Sequence, residues 1–252
     1  MKSDLRHLTE TWEVLGKEDP LWAIYTHPDK RGGRWDLREF METGEQAVAH
    51  YSGLIAKYVD APGTFSHVLD FGCGVGRLTF AWGSRAKRVT GVDISAGMLQ
   101  IANNNLAGRG HINFVLNQSD DLQVFKAGEF DLVFSFVCLQ HMPWPIAASY
   151  IAEFSRICAP GGIVAFQLPT RTLQTDSMAR FRKSLVESLP FGMGRRYRRW
   201  RHGSSVAFDV YYTPSSVVEA AAGAAGLKLI HREPDASAGP TTEGFFYIFA
   251  KS

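Results

Sequence analysis

The sequence has few cysteines, no long apolar run and almost no net charge. Its three cysteines lie far apart without a CxxC pair, so they predict neither a disulfide framework nor a metal cluster. No apolar run reaches the length of a membrane span, and the N-terminal stretch MKSDLRHLTETWEVLGKEDP lacks the apolar segment of a signal peptide. We therefore expect a soluble, cytoplasmic protein.

The charge balance argues against a partner that is recognised by charge alone. A net charge of +2 is too close to zero to indicate nucleic acid or a membrane surface. Hydrophobic residues make up 45% of the chain, which is enough for a substantial core. With 252 residues, the chain is long for one domain and short for two.

The order of apolar segments divides the chain into two parts. Residues 1–65 predict an N-terminal helical cap, with an amphipathic helix over 36–60. Within 66–252, short apolar runs alternate with helical patterns, which is typical of βαβ units and of a parallel sheet covered on both faces. Residues 170–208 are polar and predict a helical insertion after the fifth strand.

A glycine-rich loop follows the first strand of this pattern. The segment VLDFGCGVGRLTF (68–80) places Asp70 before Gly72, Gly74 and Gly76, and such a loop lets backbone approach a ligand at a helix N-terminus. The spacing GxGxG and the carboxylate disfavour a dinucleotide, whose diphosphate prefers GxGxxG.

The second strand of the pattern ends in an acidic residue, Asp93. At that position a carboxylate accepts hydrogen bonds from ribose hydroxyls, which predicts a nucleoside ligand without choosing among nucleosides. The alternative role is a helix N-cap, for which Ser95 is better placed.

Five segments within 66–169 resemble the class I S-adenosylmethionine-dependent methyltransferases, and specifically their small-molecule branch. They are DFGCGVG, VDIS, FVLNQSDDL, FDLVFSFVCLQHM and FSRICAPGGIVAF, in the order that the family has them. The resemblance implies an α/β fold with a seven-stranded, mostly parallel, doubly wound sheet whose last strand is antiparallel. It also implies S-adenosylmethionine as the cofactor.

The resemblance further implies which residues bind the cofactor. Asp70 and the glycine backbone would face the methionine part, and Asp93 would bind the ribose. Ile94 and Met98 would pack on the adenine, although a purely core role is the alternative for both. Gln118 stands where the family usually has an aspartate that accepts from the adenine amino group. The full set is Asp70, Gly72, Cys73, Gly74, Gly76, Arg77, Asp93, Ile94, Met98, Gln118, Ser119, Phe136 and Val137.

Methyl transfer to a hydroxyl needs a positioned nucleophile and a base, for which histidine is well suited. His141 follows the fourth strand in LQHMPWP and is predicted as the general base, with helix capping or packing under the cofactor as the alternative. Glu45 is predicted to orient it from the N-terminal helix, where Gly44 interrupts the helical pattern; a solvated helix face is the alternative. No segment has metal-ligand spacing, so no obligatory metal is predicted.

The acceptor is predicted to be a small molecule. The segment FSFVCLQ lacks the (Asp/Asn/Ser)-Pro-Pro-aromatic signature for amide and base nitrogens, which leaves hydroxyl, carboxyl or amine groups. A hydroxyl of a sugar, an oligosaccharide or another natural product is the preferred class. The arginine-rich segment 195–201 keeps one alternative open, an RNA-modifying methyltransferase. A non-catalytic adenosylmethionine-binding partner, with an intact cofactor site but no turnover, is a second alternative. The nearly balanced charge elsewhere disfavours nucleic acid, and nothing indicates the oligomeric state.

Overall fold

A computed structural model describes residues 2–60, 63–105, 109–173 and 209–252. The helices are α1 (Lys2–Glu18), α2 (Pro20–Ile24), α3 (Leu37–Tyr58), α4 (Arg77–Trp82), α5 (Ala96–Asn104), α6 (Trp144–Ile157) and α7 (Ser215–Ala224). The strands are β1 (Phe65–Phe71), β2 (Ala86–Asp93), β3 (Ile112–Leu116), β4 (Phe130–Ser135), β5 (Cys158–Thr172), β6 (Leu227–Pro234) and β7 (Thr242–Lys251). Short 3-10 turns span Pro28–Lys30 and Leu139–His141.

All seven strands form one sheet, in the order β3-β2-β1-β4-β5-β7-β6. Strands β1 to β5 pair in parallel, whereas β7 runs antiparallel to both of its neighbours. The order reverses between β1 and β4, and ligands of open α/β sheets bind at such a switch point. The predicted fold class, including the antiparallel last strand, is confirmed.

The sheet is covered on both faces, which explains the continuous apolar runs in its central strands. One face buries a cluster that includes Phe154, Phe166 and Tyr247. The opposite face buries a second cluster that includes Trp82 and Phe134. Both clusters hold the strand ends in place, so the loops that follow those ends are built on a fixed frame.

A third, smaller cluster joins the N-terminal helices to the glycine loop. Leu15 and Phe40, from α1 and α3, pack with Val75 in the loop and Met98 in α5. Asp36 caps α3, where its side chain accepts a hydrogen bond from the backbone N–H of Glu39 at 3.0 Å. The N-terminal segment thus lies against the edge of the sheet where the glycine loop begins.

Helix α3 continues through Gly44, where the sequence pattern suggested an interruption. Gly44 is buried, and a Cβ atom on it would lie 2.4 Å from the backbone oxygen of Arg77. The glycine therefore lets α3 approach the first turn of α4 more closely than any other residue would allow.

Strand β5 is longer than the sequence suggests at both ends. The sequence pattern predicts a tight turn at Gly161 and Gly162 before the strand, whereas both lie within β5, where Gly161 adopts a left-handed φ of +73°. A register shift against β4 accommodates that extra backbone, as in a β-bulge. The strand ends at Thr172, inside the predicted insertion 170–208.

Most of the predicted insertion, including the arginine-rich segment 195–201, lies outside the described residues. The predictions made for that segment therefore stay predictions. Among the described helices, none is both long enough and apolar enough to cross a membrane.

Candidate active site

The glycine loop is folded back on the end of β2 by backbone hydrogen bonds. The N–H groups of Gly72 and Cys73 both donate to the oxygen of Val92, at 2.8 and 3.0 Å. Gly72, Gly74 and Gly76 all have left-handed φ angles, between +53° and +86°, that glycine alone adopts without strain. The loop therefore needs its glycines for conformation as well as for close approach.

Neighbouring side chains occupy the space that side chains on these glycines would need. A Cβ atom on Gly72 would lie 2.1 Å from Sγ of Cys138, and one on Gly74 would lie 2.3 Å from Cδ1 of Ile24. Ile24 ends α2, so the N-terminal helices contact the glycine loop directly. The loop is thus enclosed from two sides.

Asp93 is held in place by the loop and by the start of α5. One carboxylate oxygen accepts from the N–H of Gly74 at 2.8 Å, and the other accepts from the N–H of Ser95 at 2.9 Å. Ser95 itself caps α5 by accepting from the N–H of Met98. Removal from solvent raises the pKa of Asp93. Each of its oxygens keeps a further lone pair for a ligand.

Asp70 lies on β1 beneath the loop and is 1% exposed. The hydroxyl of Thr79 donates to its carboxylate at 2.6 Å. Burial raises the pKa of Asp70 to about 6, and the hydrogen bond from Thr79 opposes that shift. The group is therefore ionised at neutral pH but becomes protonated in mild acid.

Arg77, the first residue of α4, provides a buried positive charge. Its guanidinium lies over the rings of Tyr25 and Phe40, at 5.0 and 5.9 Å, and donates to the hydroxyl of Thr43. Burial lowers the pKa of Arg77 to about 10, which still leaves it charged at neutral pH. Its Nε atom has no hydrogen-bond partner among the described residues.

A cavity opens beyond the carboxyl ends of β1, β2 and β4. The residues that line it are Leu8, Trp12, Ala23, Ile24, Thr26, Asp70, Phe71, Gly72, Cys73, Gly74, Arg77, Leu78, Val92, Asp93, Ile94, Met98, Asn117, Phe136, Val137, Cys138, Gln140, His141, Met142, Tyr150, Val210, Ser237 and Ala238. We call the part at Asp70, Gly74 and Asp93 the aspartate end, and the part at Trp12, Gln140 and His141 the histidine end.

The backbone between the two ends is strained at one residue. Val137 has a φ of +53° and is the only non-glycine residue with a positive φ in the described chain. A β-branched residue in the left-handed region costs roughly 1–3 kcal/mol and persists only where its surroundings impose it. The strain lies in the cavity wall, beside Cys138, whose side chain packs on Gly72.

The histidine end is tied together by hydrogen bonds around His141. Its Nδ1 lies 2.8 Å from the backbone oxygen of Asp209, and its Nε2 lies 3.2 Å from the side-chain nitrogen of Gln140. The ring of Trp12 meets the imidazole edge-on, with centroids 5.2 Å apart. Burial lowers the pKa of His141 to about 4, so the ring is neutral at physiological pH.

Comparison with known sequences identifies relatives of this chain. Residues 68–162 match a family described as a methyltransferase domain. A ubiquinone biosynthesis O-methyltransferase of Thiobacillus denitrificans is 34% identical over 49% of this chain and 53% of that protein. A trans-aconitate 2-methyltransferase of Streptomyces avermitilis is 29% identical over 54% of this chain and 51% of that protein. The chain thus spans about half the length of these curated relatives.

The fold has counterparts among solved structures. Magnesium protoporphyrin IX methyltransferase from Synechocystis PCC 6803, crystallised with bound SAH, superposes with a TM-score of 0.69 at 17% sequence identity. The superposition covers 99% of this chain and 100% of that one. Residues 68–162 carry a methyltransferase domain. The resemblance seen in its five sequence segments is confirmed.

The methyltransferase domain brings most of the predicted site residues to one cavity. Those in the lining are Asp70, Gly72, Cys73, Gly74, Arg77, Asp93, Ile94, Met98, Phe136, Val137 and His141. Gly76 is not in the lining and caps α4. Glu45 lies exposed on α3, outside the lining, and its predicted role stays a prediction.

After β3, the predicted adenine contact Gln118 is exposed to solvent, whereas its neighbour Asn117 lines the cavity. Gln118 is exposed and donates to the backbone oxygen of Ile94 at 3.3 Å, whereas Asn117 is 9% exposed and lines the cavity. The amide of Asn117 donates to the backbone oxygens of Ser119 and Asp121. Asn117 thus shapes the turn that carries both predicted residues, and its position directly after β3 was the available sequence signal.

Other residues that line the cavity were not identified from the sequence. Trp12 and Ile24 come from the N-terminal helices, Gln140 precedes His141, and Ser237 lies in the loop between β6 and β7. Gln140 directly precedes His141, which the sequence predicts as the general base, so its position was the available signal. The other three reach the cavity through tertiary packing, which no local motif reports.

Proposed function

We propose that this chain uses S-adenosylmethionine to methylate an oxygen atom of a small organic molecule. The observation that carries the proposal is Asp93, which is held by Gly74 and Ser95 at the end of β2 in the wall of a cavity. A carboxylate fixed in that way suits the paired hydroxyls of a ribose. The matched methyltransferase domain covers the same residues.

The residues at the aspartate end fit the other parts of that cofactor. The glycines leave room for close approach of backbone, and the Asp70 carboxylate favours a cationic group near the loop. Arg77 supplies a buried cation with an unpartnered Nε for a carboxylate. Ile94 and Met98 offer an apolar surface for the adenine. When bound, the cofactor supplies an electrophilic methyl group.

The acceptor is placed at the histidine end. Trp12 contacts His141, and Leu8, Phe136 and Met142 add apolar and aromatic wall elsewhere in the cavity, which suits an aromatic or aliphatic body better than a glycan. The two relatives, an O-methyltransferase of ubiquinone biosynthesis and a trans-aconitate methyltransferase, support a small-molecule acceptor. A sugar hydroxyl therefore becomes the less favoured form of the earlier prediction.

His141 is the proposed proton acceptor for the reacting oxygen. Its neutral state at physiological pH leaves a ring nitrogen able to take a proton, but the low pKa makes it a weak base. Because Nε2 faces the amide of Gln140, proton transfer to that nitrogen requires the contact to be broken. An acceptor with an acidic hydroxyl, such as a phenol, places the smallest demand on such a base.

Calorimetric titration with S-adenosylmethionine, S-adenosylhomocysteine and NAD tests the cofactor assignment. We expect binding of the first two ligands and a loss of at least about 100-fold in affinity in Asp93→Ala, because two hydrogen bonds to a carboxylate are removed. Asp29→Ala is the matched control, since the Asp29 side chain is 88% exposed and outside the cavity. Preferential binding of NAD, or unchanged affinity in Asp93→Ala, contradicts the proposal.

A further inference from the structure

The side chain of Gln140 has one satisfied and one unsatisfied end. Gln140 is 3% exposed and lines the cavity at the histidine end. Its amide nitrogen meets Nε2 of His141, whereas its Oε1 has no hydrogen-bond partner among the described residues and is shielded from water. A buried carbonyl oxygen without a donor costs about 1–3 kcal/mol, so a donor that reaches this oxygen would be stabilising.

The orientation of this amide follows from the chemistry of its neighbours. The backbone oxygen of Asp209 can only accept, so Nδ1 of His141 must carry the hydrogen of that 2.8 Å bond. A neutral imidazole with hydrogen on Nδ1 has a lone pair on Nε2 and must receive a donor there. Gln140 therefore turns its NH₂ group toward His141 and its oxygen away from it.

One further contact and the protonation state of His141 keep the arrangement from inverting. The N–H of Tyr211 donates to the backbone oxygen of Gln140 at 2.7 Å, which fixes the main chain beneath the side chain. Burial keeps His141 neutral down to a pH of about 4, so its Nε2 remains an acceptor over the physiological range. If the amide flipped, its oxygen would face a lone pair and the hydrogen bond would be lost.

We propose that Gln140 selects the acceptor by receiving the hydrogen of its hydroxyl group, so that the acceptor is a phenol or alcohol rather than a carboxylate. This inference rests on the proposed function and adds the substrate class. On binding, a hydroxyl can donate to Oε1 while a lone pair of the same oxygen remains directed at the methyl group. That hydrogen then passes to Nε2 of His141, the proposed proton acceptor, once the contact between Gln140 and His141 opens. An ionised carboxylate has no hydrogen to donate and meets the amide oxygen with like charge.

The apolar surroundings of Gln140 favour a phenol within that class. Trp12 and Phe136 place aromatic rings in the wall of the same cavity, and Leu8 and Met142 add apolar surface. An aromatic ring is held well by such walls while its one polar substituent reaches the buried amide.

The test uses three probes that share one body and differ in one group. Para-butylphenol donates a hydrogen bond, para-butylanisole accepts only, and para-butylbenzoate is anionic. Each is titrated calorimetrically into the wild-type chain saturated with S-adenosylhomocysteine. We expect the phenol to bind about tenfold more tightly than either of the others, the value of one hydrogen bond to a buried acceptor. Equal affinities, or no measurable binding of any probe, overturn the proposal.

Variants separate this role from a structural one. Gln140→Met keeps the length of the side chain but removes its oxygen, and the preference for the phenol should disappear. Gln140→Leu also removes the oxygen and should lose the preference, which covers the case in which the methionine variant fails to fold. Gln123→Met, the same change at an exposed site, should leave the preference at its wild-type value. A preference retained in a folded Gln140→Met chain overturns the proposal.

A separate titration keeps the two proposals apart. S-adenosylhomocysteine affinity should be the same in wild type and in Gln140→Met, because Gln140 lies at the other end of the cavity. If the wild-type chain does not bind S-adenosylhomocysteine, the proposed function is overturned. A missing phenol preference with intact cofactor binding overturns only the role of Gln140.

Discussion

The two ends of the cavity satisfy their acceptor oxygens in opposite ways. At the aspartate end, both oxygens of Asp93 already accept from backbone N–H groups, and Asp70 accepts from Thr79. At the histidine end, Gln140 keeps a buried oxygen that finds no donor in the described part of the chain, in a cavity with apolar walls. The cofactor is always the same molecule, so a preorganised, hydrogen-bonded loop can bind it. The methyl acceptor is selected at the histidine end, where it can supply the hydrogen bond that the oxygen of Gln140 lacks.

The largest predicted effect concerns pH, because the two ends titrate with opposite sign. Burial lowers the pKa of His141 from 6.5 to about 4, so the unfolded state binds more protons there and stability rises with pH across this window. Burial raises the pKa of Asp70 from 3.8 to about 6, so the folded state binds more protons and stability falls with rising pH. Each contribution is about 3 kcal/mol, and in the wild type they offset one another.

Urea unfolding between about pH 4 and 6.5 measures this balance. His141→Gln removes the rising contribution, so its stability relative to wild type should fall as pH rises. Asp70→Asn keeps an acceptor for Thr79 but removes the falling contribution, so its relative stability should rise. Parallel pH profiles for wild type and both variants would contradict the assignment of these two shifts.

The second prediction separates catalysis from cofactor binding. His141→Ala should lower turnover by ~10²-fold or more, because the proton acceptor is gone. Its affinity for S-adenosylhomocysteine should stay at the wild-type value, since His141 lies at the histidine end. The measurement combines calorimetry with methyl transfer from labelled S-adenosylmethionine to the best phenol found in a screen. Unchanged turnover would leave His141 only the role of holding Gln140.

The third prediction tests how α3 supports the aspartate end. A Cβ atom at Gly44 meets the backbone oxygen of Arg77 at 2.4 Å, so Gly44→Ala should lose about 2 kcal/mol of stability through overpacking. Gly53→Ala is the matched control in the same helix, where a Cβ meets nothing within 4 Å. That variant should gain up to about 1 kcal/mol from helix propensity. Equal urea midpoints for the two variants would contradict the close approach.

The smallest predicted effect distinguishes two neighbouring residues after β3. Asn117→Ala should weaken S-adenosylhomocysteine binding by about tenfold, because the turn loses the donor to Ser119 and Asp121. Gln118→Ala should change the affinity by less than about threefold, since the side chain is exposed. A larger loss in Gln118→Ala would restore the adenine contact first predicted for it.

Much of the aspartate end was accessible from the sequence because its chemistry is local. Asp93 ends a recognisable strand, and the glycines at 72, 74 and 76 lie within a few residues of one another. The glycine spacing indicates a turn and a close approach of backbone to a ligand. The position of Asp93 at the end of β2 indicates a nucleoside. The same reasoning placed Gly161 and Gly162 in a turn, because a β-bulge depends on the register with β4, and register cannot be seen in one strand.

The histidine end was only partly accessible, because it is assembled from distant segments. His141 was singled out by residue type and by its position after β4. The contacts of Trp12 and Asp209 with it cross more than 60 residues and depend on how α1 and the chain before α7 pack. The unsatisfied oxygen of Gln140 is a property of its surroundings alone. No residue type or spacing reports that a buried group lacks a partner.

The most direct test of separate roles for the two ends is to titrate S-adenosylhomocysteine into wild type, Asp93→Ala and Gln140→Met. Each protein that binds it is then titrated with the phenol and anisole probes. We predict that the affinity of Asp93→Ala for S-adenosylhomocysteine falls by at least about 100-fold. Gln140→Met should bind S-adenosylhomocysteine as wild type does and lose only the preference for the phenol. If both variants lost S-adenosylhomocysteine equally, or if neither changed either ligand, the two ends would have no separate roles and the account would be wrong.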